Sequence, residues 1–229
     1  DSVASRGLGD VYKRQVLYFE NFIVIEPGLT NLKKQRSLKM AAMSIKKLGG
    51  ICLVVGAIAG AVPVILSVFL GATPTEGVNI FKFFADEAVK NGIITNAYAL
   101  ISIIGVALVT FGIFTLRDIL QNDETDNALM RFGTYLFFLG SVGAIIGWSL
   151  DNAIVWGEAD FAKHFMTIEM AFYLPSGILY WAGAGLVALT LAGNSYVNSL
   201  FARFVCLFAL IACALHIYCL LYTSDAADE

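Results

Sequence analysis

The sequence predicts an all-α fold, a multi-pass bundle of transmembrane helices. Apolar residues make up 58% of the 229 residues and charged residues only 14%, whereas soluble domains contain roughly 45–50% and 25%. The mean hydropathy is correspondingly high, at +0.74. Several apolar stretches are long enough to cross a bilayer core of about 30 Å as helices. They are too long and too uniformly apolar for the alternating strands of a barrel, so a lipid bilayer is the predicted partner.

About five spans are predicted, each from an apolar stretch of about 20 residues. Asp151 is the single charge within the third span, and Arg203 opens the fifth. Pro175, near the start of the fourth, favours a span that begins there, because proline prefers the first helical turn. The alternative is a longer helix that runs through Pro175 and is kinked. The predicted spans cover residues 48–70, 93–116, 132–156, 174–192 and 200–218.

The two ends of the chain are predicted to be non-native. Residues 10–15, DVYKRQ, can be encoded by a DNA element whose reverse complement encodes residues 219–224, CLLYTS. Transposon-based sequencing libraries leave inverted ends of this kind, so both ends are excluded from fold reasoning. We expect adapter-derived tails at residues 1–15 and 219–229. Residues 43–218 are then a membrane-domain fragment cut off at its carboxyl end, and residues 16–42 are a leader or translated upstream DNA.

Basic residues near the span ends predict a cytoplasmic amino end. Lys46 and Lys47 precede the first span, and Arg117 and Arg131 flank the loop between the second and third. Arg203, at the start of the fifth span, lies on the same predicted side. The segments on the opposite side hold Lys82, Lys90 and Lys163.

Glycines recur at helical spacing in two of the spans. Gly56 and Gly60 are four residues apart, whereas Gly133, Gly140 and Gly147 are seven apart. Seven residues is about two helical turns, so each set forms one stripe on a helix. Because small residues let helices in lipid approach closely, both stripes predict helix packing. They fit packing within one chain or the face of a homo- or hetero-oligomer, and no short motif separates these alternatives.

Residues 77–92 predict an amphipathic helix between the first two spans. Asn79, Lys82, Asp86 and Lys90 share one face of such a helix. The pairs Lys82–Asp86 and Asp86–Lys90 are also spaced for ion pairing. The helix either lies in the membrane interface with its phenylalanines in the acyl boundary or packs on the bundle. Both interpretations use the same apolar face and stay open.

Asp151 and Glu169 are the candidate binding residues with the clearest chemical rationale. An aspartate at the membrane centre costs roughly 2.5–3.5 kcal/mol, and acids inside spans commonly serve a function. Trp148 and Asn152 share a face beside Asp151. Tryptophan favours the membrane boundary, where Asp151 would simply be hydrated. His164 lies near the same boundary and is either a third member of the cluster or a solvated loop histidine.

No motif predicts a metal, a cofactor or a catalytic residue. The GxSxG, HExxH, Walker and dinucleotide patterns do not occur. Cys52, Cys206 and Cys213 lie in apolar runs without metal-binding spacing. The acidic segment 117–131 lacks the glycine of a calcium-binding loop, which predicts a solvated loop. No basic stripe interleaves with aromatic residues, so nucleic acid is not a predicted partner.

Three functions are compatible with these features. The first is a non-enzymatic membrane subunit or packing partner, favoured by the glycine stripes and by the lack of catalytic motifs. The second is a transporter or channel component that uses the membrane-boundary acids Asp151 and Glu169. The third is an intramembrane enzyme in which Asp151, His164 and Glu169 act as acid and base, and it requires these groups to converge on one substrate.

Overall fold

The computed structural model describes residues 43–74, 78–121, 128–157, 159–194 and 196–225. Within these ranges the regular secondary structure is entirely helical, so the predicted all-α fold is confirmed. The helices are, in chain order, α1 (Ile45–Leu70), α2 (Ile80–Lys90), α3 (Gly92–Gln121), α4 (Ala128–Trp156), α5 (Ala159–Ala192) and α6 (Ser199–Asp225).

Five helical segments are long and apolar enough to cross a membrane, and the chain is a multi-pass membrane protein. They are Ile45–Ser67, Gly92–Gln121, Ala128–Trp156, Phe161–Ala192 and Ser199–Tyr222. Three segments lie outside the described residues: the predicted amino-terminal tail, the uncertain segment after it and the acidic loop residues 122–127. The predicted carboxyl-terminal tail is described only as far as Asp225, as the end of α6. Its non-native origin stays a prediction.

Two helices begin at polar caps that the sequence places directly before apolar runs. The Ser44 Oγ accepts a hydrogen bond from the Lys47 backbone N–H at 3.3 Å and so caps α1. The Asn79 Oδ1 accepts one from the Lys82 backbone N–H at 3.1 Å and caps α2. Each cap supplies an acceptor to an N–H group that has no partner within the helix. α2 ends at Asn91, where the backbone N–H donates to the carbonyl of Glu87 at 3.0 Å.

α1 packs against α3 through direct contact between their backbones. A Cβ built on Gly56 would lie 2.7 Å from the carbonyl oxygen of Gly105 and 2.7 Å from the nitrogen of Val109. A Cβ on Gly105 would lie 2.5 Å from the nitrogen of Gly60. Gly60 itself has open space at its Cβ position, so only its backbone takes part in this contact. Among the described helices, α1 packs directly against α3 only.

α4 packs against α5 in the same way, along a contact that we call the glycine seam, formed by Gly133, Gly140 and Gly183. A Cβ on Gly140 would lie 2.6 Å from the carbonyl oxygen of Ser176, and one on Gly133 would lie 3.1 Å from that of Gly183. Beside the seam, the buried ring of Phe137 stacks on Tyr180 with the ring centroids 4.2 Å apart. The predicted stripe on α4 therefore contacts a helix of the same chain.

α5 differs from the fourth predicted span, which begins at Leu174. The helix begins at Ala159 instead and continues through Pro175 to Ala192. Its first turns are stabilised by packing, because Ala162 and Met166 are buried against α2 and α4. This burial favours helix before the proline, and the loss of one backbone hydrogen bond at Pro175 does not end it. Pro175 is thus an interior residue and not the start of the span.

α2 packs on the bundle, as one of the two interpretations of its apolar face expects. Ala85 and Ala88 are buried in a cluster with Ile154 of α4 and with Ala162 and Met166 of α5. On the opposite face, the nitrogen of Lys82 lies 2.6 Å from Asp86. Lys90 pairs with Glu87 at 3.0 Å rather than with Asp86. These exposed pairs contribute little to stability, so α2 is held mainly by its alanine face.

Replacing Gly140 with alanine should destabilise the bundle. The added Cβ would overlap the backbone of Tyr180, and overpacking of this kind costs about 1–3 kcal/mol. Gly60→Ala is the matched control, because its Cβ would have no atom within 4 Å. Thermal unfolding in detergent, followed by circular dichroism, should show a lower Tm for Gly140→Ala alone. An equal loss of stability in both variants would contradict the seam.

Candidate functional site

A cavity of about 640 Å³ lies at one end of the bundle. The carboxyl ends of α1 and α4 meet the amino ends of α3 and α5 there, and α2 contributes a further wall. The cavity exists because α1 packs on α3 and leaves a gap between itself and the α4–α5 pair. Most of the wall is apolar, with a few polar groups among the apolar side chains. This composition is typical of ligand-binding pockets.

Asp151 of α4 and Glu169 of α5 face each other on the wall of this cavity. Their side chains are close enough to interact electrostatically. Glu169 is only 5% exposed, and its Oε2 is buried without a hydrogen-bond donor. Both residues lie within segments that can span the membrane. The site is therefore a pair of carboxyl groups on two helices that can span the membrane.

Gly147 lies where α4 contacts α5 near the two acids. It is one helical turn before Asp151 on α4, and its Cβ position is 3.5 Å from the Cβ of Tyr173 and 3.8 Å from the carbonyl oxygen of Glu169. These are ordinary van der Waals distances, so a Cβ would fit here, unlike at Gly140. The glycine stripe of α4 thus reaches the level of the acids, but the backbones are packed less tightly there than in the glycine seam.

Two facing carboxyl groups cannot hydrogen-bond to each other when both are ionised, because each is then only an acceptor. They need a proton between them, or a cation beside them, to offset the repulsion of two like charges. No lysine, arginine or histidine lies on the described part of the cavity wall. Among the described wall residues, no basic side chain offsets this repulsion.

The other titratable groups near the pair are few and mostly acidic or phenolic. Glu87 of α2 lies at the wall and is paired with Lys90 at 3.0 Å. Tyr98 of α3 also lines the cavity, and Tyr173 of α5 is close enough to interact electrostatically with both acids. No charged residue of α1 lines the cavity in the part of the chain that is described.

A row of aromatic rings extends from the pair to α6. The ring centroids of Trp148 and Tyr173 are 6.0 Å apart, and those of Tyr173 and His216 are 5.9 Å apart. His216 lies against Gly177, where a Cβ would overlap its ring. Its Nδ1 is 2.8 Å from the carbonyl oxygen of Ala212, so this nitrogen carries a proton when it donates there. The sequence analysis missed Tyr173 and His216. The signal for His216 was an ionisable residue inside a span.

The structure brings together some of the predicted site residues and separates others. Asp151, Glu169 and Trp148 line the cavity, whereas Asn152 is half-buried and does not. His164 is exposed and also lies outside the cavity wall. It is five residues from Glu169, which is about 500° of helical rotation and leaves the two side chains about 140° apart. Among the described residues, no group of three or more histidines, cysteines and acids could hold a metal ion.

Comparison with protein-family models, with curated proteins and with solved structures finds no significant match. The function must therefore be inferred from the geometry and chemistry of the cavity. A buried acid and a half-buried acid beside an apolar cavity can bind a proton or a cation and release it when the pair moves or is hydrated.

Replacing Glu169 with glutamine should raise the Tm at alkaline pH. There the native protein has two facing carboxylates, whereas the glutamine amide donates a hydrogen bond to Asp151. A hydrogen bond to a charged group contributes about 1.5–3 kcal/mol. At acidic pH both proteins have a donor between the side chains, so their Tm values should converge. Asp86→Asn, which alters an exposed acid of α2, is the control. A Glu169→Gln variant that is less stable at alkaline pH would contradict the facing pair.

Proposed function

We propose that this multi-pass membrane protein is a component of a transporter or channel that binds a proton or a cation at Asp151 and Glu169. One observation carries the proposal: a carboxylate oxygen of Glu169 is buried without a donor, beside a second carboxyl group, on the wall of a cavity within the bundle. A buried carboxyl oxygen without a hydrogen-bond partner is destabilising. Its presence is therefore explained best by a positively charged occupant.

The position of the pair also supports this proposal. Acids inside spans are costly, usually face the bundle interior or a water-filled cavity, and mark ion and proton pathways. Asp151 and Glu169 come from different helices and line the same cavity. An occupant of the cavity would thus contact both helices at once. Binding and release could then be linked to the separation of α4 and α5.

The other two functions have less support. The glycine stripes that favoured a subunit or packing partner contact helices of the same chain, so they provide no argument for a homo- or hetero-oligomer. An intramembrane enzyme would use His164 with the two acids, but His164 is exposed and off the cavity wall. The first hypothesis also described the protein as a non-enzymatic membrane subunit. The proposal keeps this description, because a transporter component is itself non-enzymatic.

The predicted orientation places the cavity at the outer side of the membrane. Lys46, Lys47, Arg117 and Arg131 lie near span ends on the side of the amino end. The excess of basic residues there supports a cytoplasmic amino end by the positive-inside rule. Asp151 and Glu169 lie toward the opposite ends of their helices. In this orientation the pair would receive its proton or cation from the outer side.

A non-native origin of residues 1–15 and 219–229 also remains part of the proposal. Its support is the shared coding of the two ends by one DNA element. Reading the gene from uninterrupted genomic DNA should replace both ends with other residues, while residues 43–218 stay the same. Recovery of the same CLLYTS segment at residues 219–224 would contradict the proposed origin.

The pair should titrate as a unit that depends on both acids. In lipid nanodiscs, infrared difference spectra between acidic and alkaline pH should contain a protonated-carboxyl band whose frequency and midpoint change in both Asp151→Asn and Glu169→Gln. The cause is that a proton shared by two groups needs both of them. His164→Gln, an exposed site on α5, should keep the band. Unchanged spectra in both acid variants would contradict a proton or cation site at the pair.

A further inference from the structure

We propose that the cavity binds an organic cation with an apolar or aromatic body, and that this cation displaces the proton held between Asp151 and Glu169. The inference rests on the proposed function and names the class of its substrate. Suitable ligands are hydrophobic amines, quaternary ammonium ions and phosphonium ions.

The size of the cavity favours an organic ligand over a bare ion. Its volume is about 640 Å³, whereas one water molecule occupies about 30 Å³ of liquid. Pockets for drug-sized ligands measure about 300–1,000 Å³. A proton or a metal ion at the carboxyl pair would leave most of this volume without an occupant. An organic body attached to the cationic group would fill the apolar remainder.

The charges on the wall favour a cation over an anion or a neutral molecule. The ionisable side chains that line the described part of the cavity are Glu87, Tyr98, Asp151 and Glu169. None of them is basic. Lys90 pairs with Glu87 but does not itself line the cavity. A cation can therefore approach the pair without meeting positive charge, whereas an anion would be repelled by the two acids in a medium of low dielectric constant.

Aromatic rings complete the chemistry of an organic-cation site. Phe83 and Phe84 of α2 lie on the wall with their ring centroids 5.4 Å apart, and Tyr98 and Trp148 contribute rings from α3 and α4. Aromatic faces attract cations, with tryptophan the strongest, and such rings are used to bind quaternary ammonium groups. Trp148 lies one turn from Asp151 on the same helix. It is thus suited to hold the body of a cation whose charge sits at the acids.

The same residues argue against a metal ion as the main ligand. A calcium ion takes six to eight oxygen ligands, and magnesium requires near-ideal octahedral geometry. The described residues contain no group of three or more histidines, cysteines and acids with metal-binding geometry. The two carboxyl groups can neutralise the single positive charge of an organic ligand more easily than they can coordinate a metal ion. An organic cation needs no full shell of oxygen ligands.

The exchange of one proton for one monovalent cation leaves the net charge of the site unchanged. With one proton between them, the two carboxyl groups carry one negative charge. With a bound monovalent cation and no proton, they again carry one negative charge. Binding one cation therefore releases about one proton to the solvent, and the charge within the membrane is unchanged. No oxidant, reductant or other reactant takes part.

The test uses tetraphenylphosphonium with the full chain in lipid nanodiscs. Trp156→Phe and Trp181→Phe leave Trp148 as the reporter, since the chain has three tryptophans. Binding should change the fluorescence of Trp148, and a pH dye in weak buffer should report release of about one proton per cation. Triphenylphosphine oxide, a neutral compound of similar shape, is the matched ligand control. Sodium, potassium and magnesium chlorides form the inorganic arm.

Asp151→Asn and Glu169→Gln should each weaken binding of tetraphenylphosphonium by at least about tenfold, because one charge of the pair is lost. Each variant should also change the number of protons released per bound cation, which a merely structural defect would not do while binding remains measurable. Ser149→Ala is the control, because this exposed hydroxyl of α4 bonds to the carbonyl of Ile145 at 2.7 Å. It should match the parent protein in both measurements.

Three outcomes would overturn the inference. The neutral oxide could bind as tightly as the phosphonium, inorganic cations could displace the proton while the phosphonium does not, or the acid variants could retain full proton release. The first two results leave the infrared test of the carboxyl pair unaffected, so the proposed function would survive them. If the protonated-carboxyl band is also insensitive to both acids, the proposed function itself fails.

Discussion

Close contact between the backbones of α4 and α5 is the constraint on which the rest of the site depends. In a bilayer, an apolar side chain gains little free energy when it moves from lipid into a helix–helix contact. Helices are therefore held together by tight packing and by hydrogen bonds. Glycines at positions 133, 140 and 183 allow this packing, because no Cβ fits between the two helices there. The same approach continues to Gly147, beside the carbonyl of Glu169. The helices that carry the two acids are thus held together by a glycine seam that lies further along the bundle.

The cavity follows from an imbalance in how the helices pack. α4 and α5 contact each other along their length, whereas α1 packs on α3 alone among the described helices. The gap between these two pairs is partly covered by α2, which is held to α4 and α5 by Ala85 and Ala88. α2 also brings two phenylalanines and Glu87 to the wall. A helix outside the predicted spans therefore decides both the shape and the chemistry of the site.

The sequence predicts the fold class and the two acids, but not their pairing. Periodicity shows which residues share a face of one helix, yet the rotation of α4 relative to α5 depends on contacts between helices. Asp151 could equally have faced lipid headgroups. The start of α5 was misjudged because the preference of Pro175 for a first turn was weighed without the burial of Ala162 and Met166. His216 was missed because its neighbours, Tyr173 and Gly177, lie on another helix.

α6 is joined to the bundle through α5 alone among the described helices, and none of its residues lines the cavity. It is an edge helix, and only 11% of its apolar window is buried. The described walls of the cavity are therefore formed by helices that precede α6 in the chain. α6 supports this cavity from the side, because His216 packs against Tyr173 of α5. The cavity itself is lined by the preceding helices.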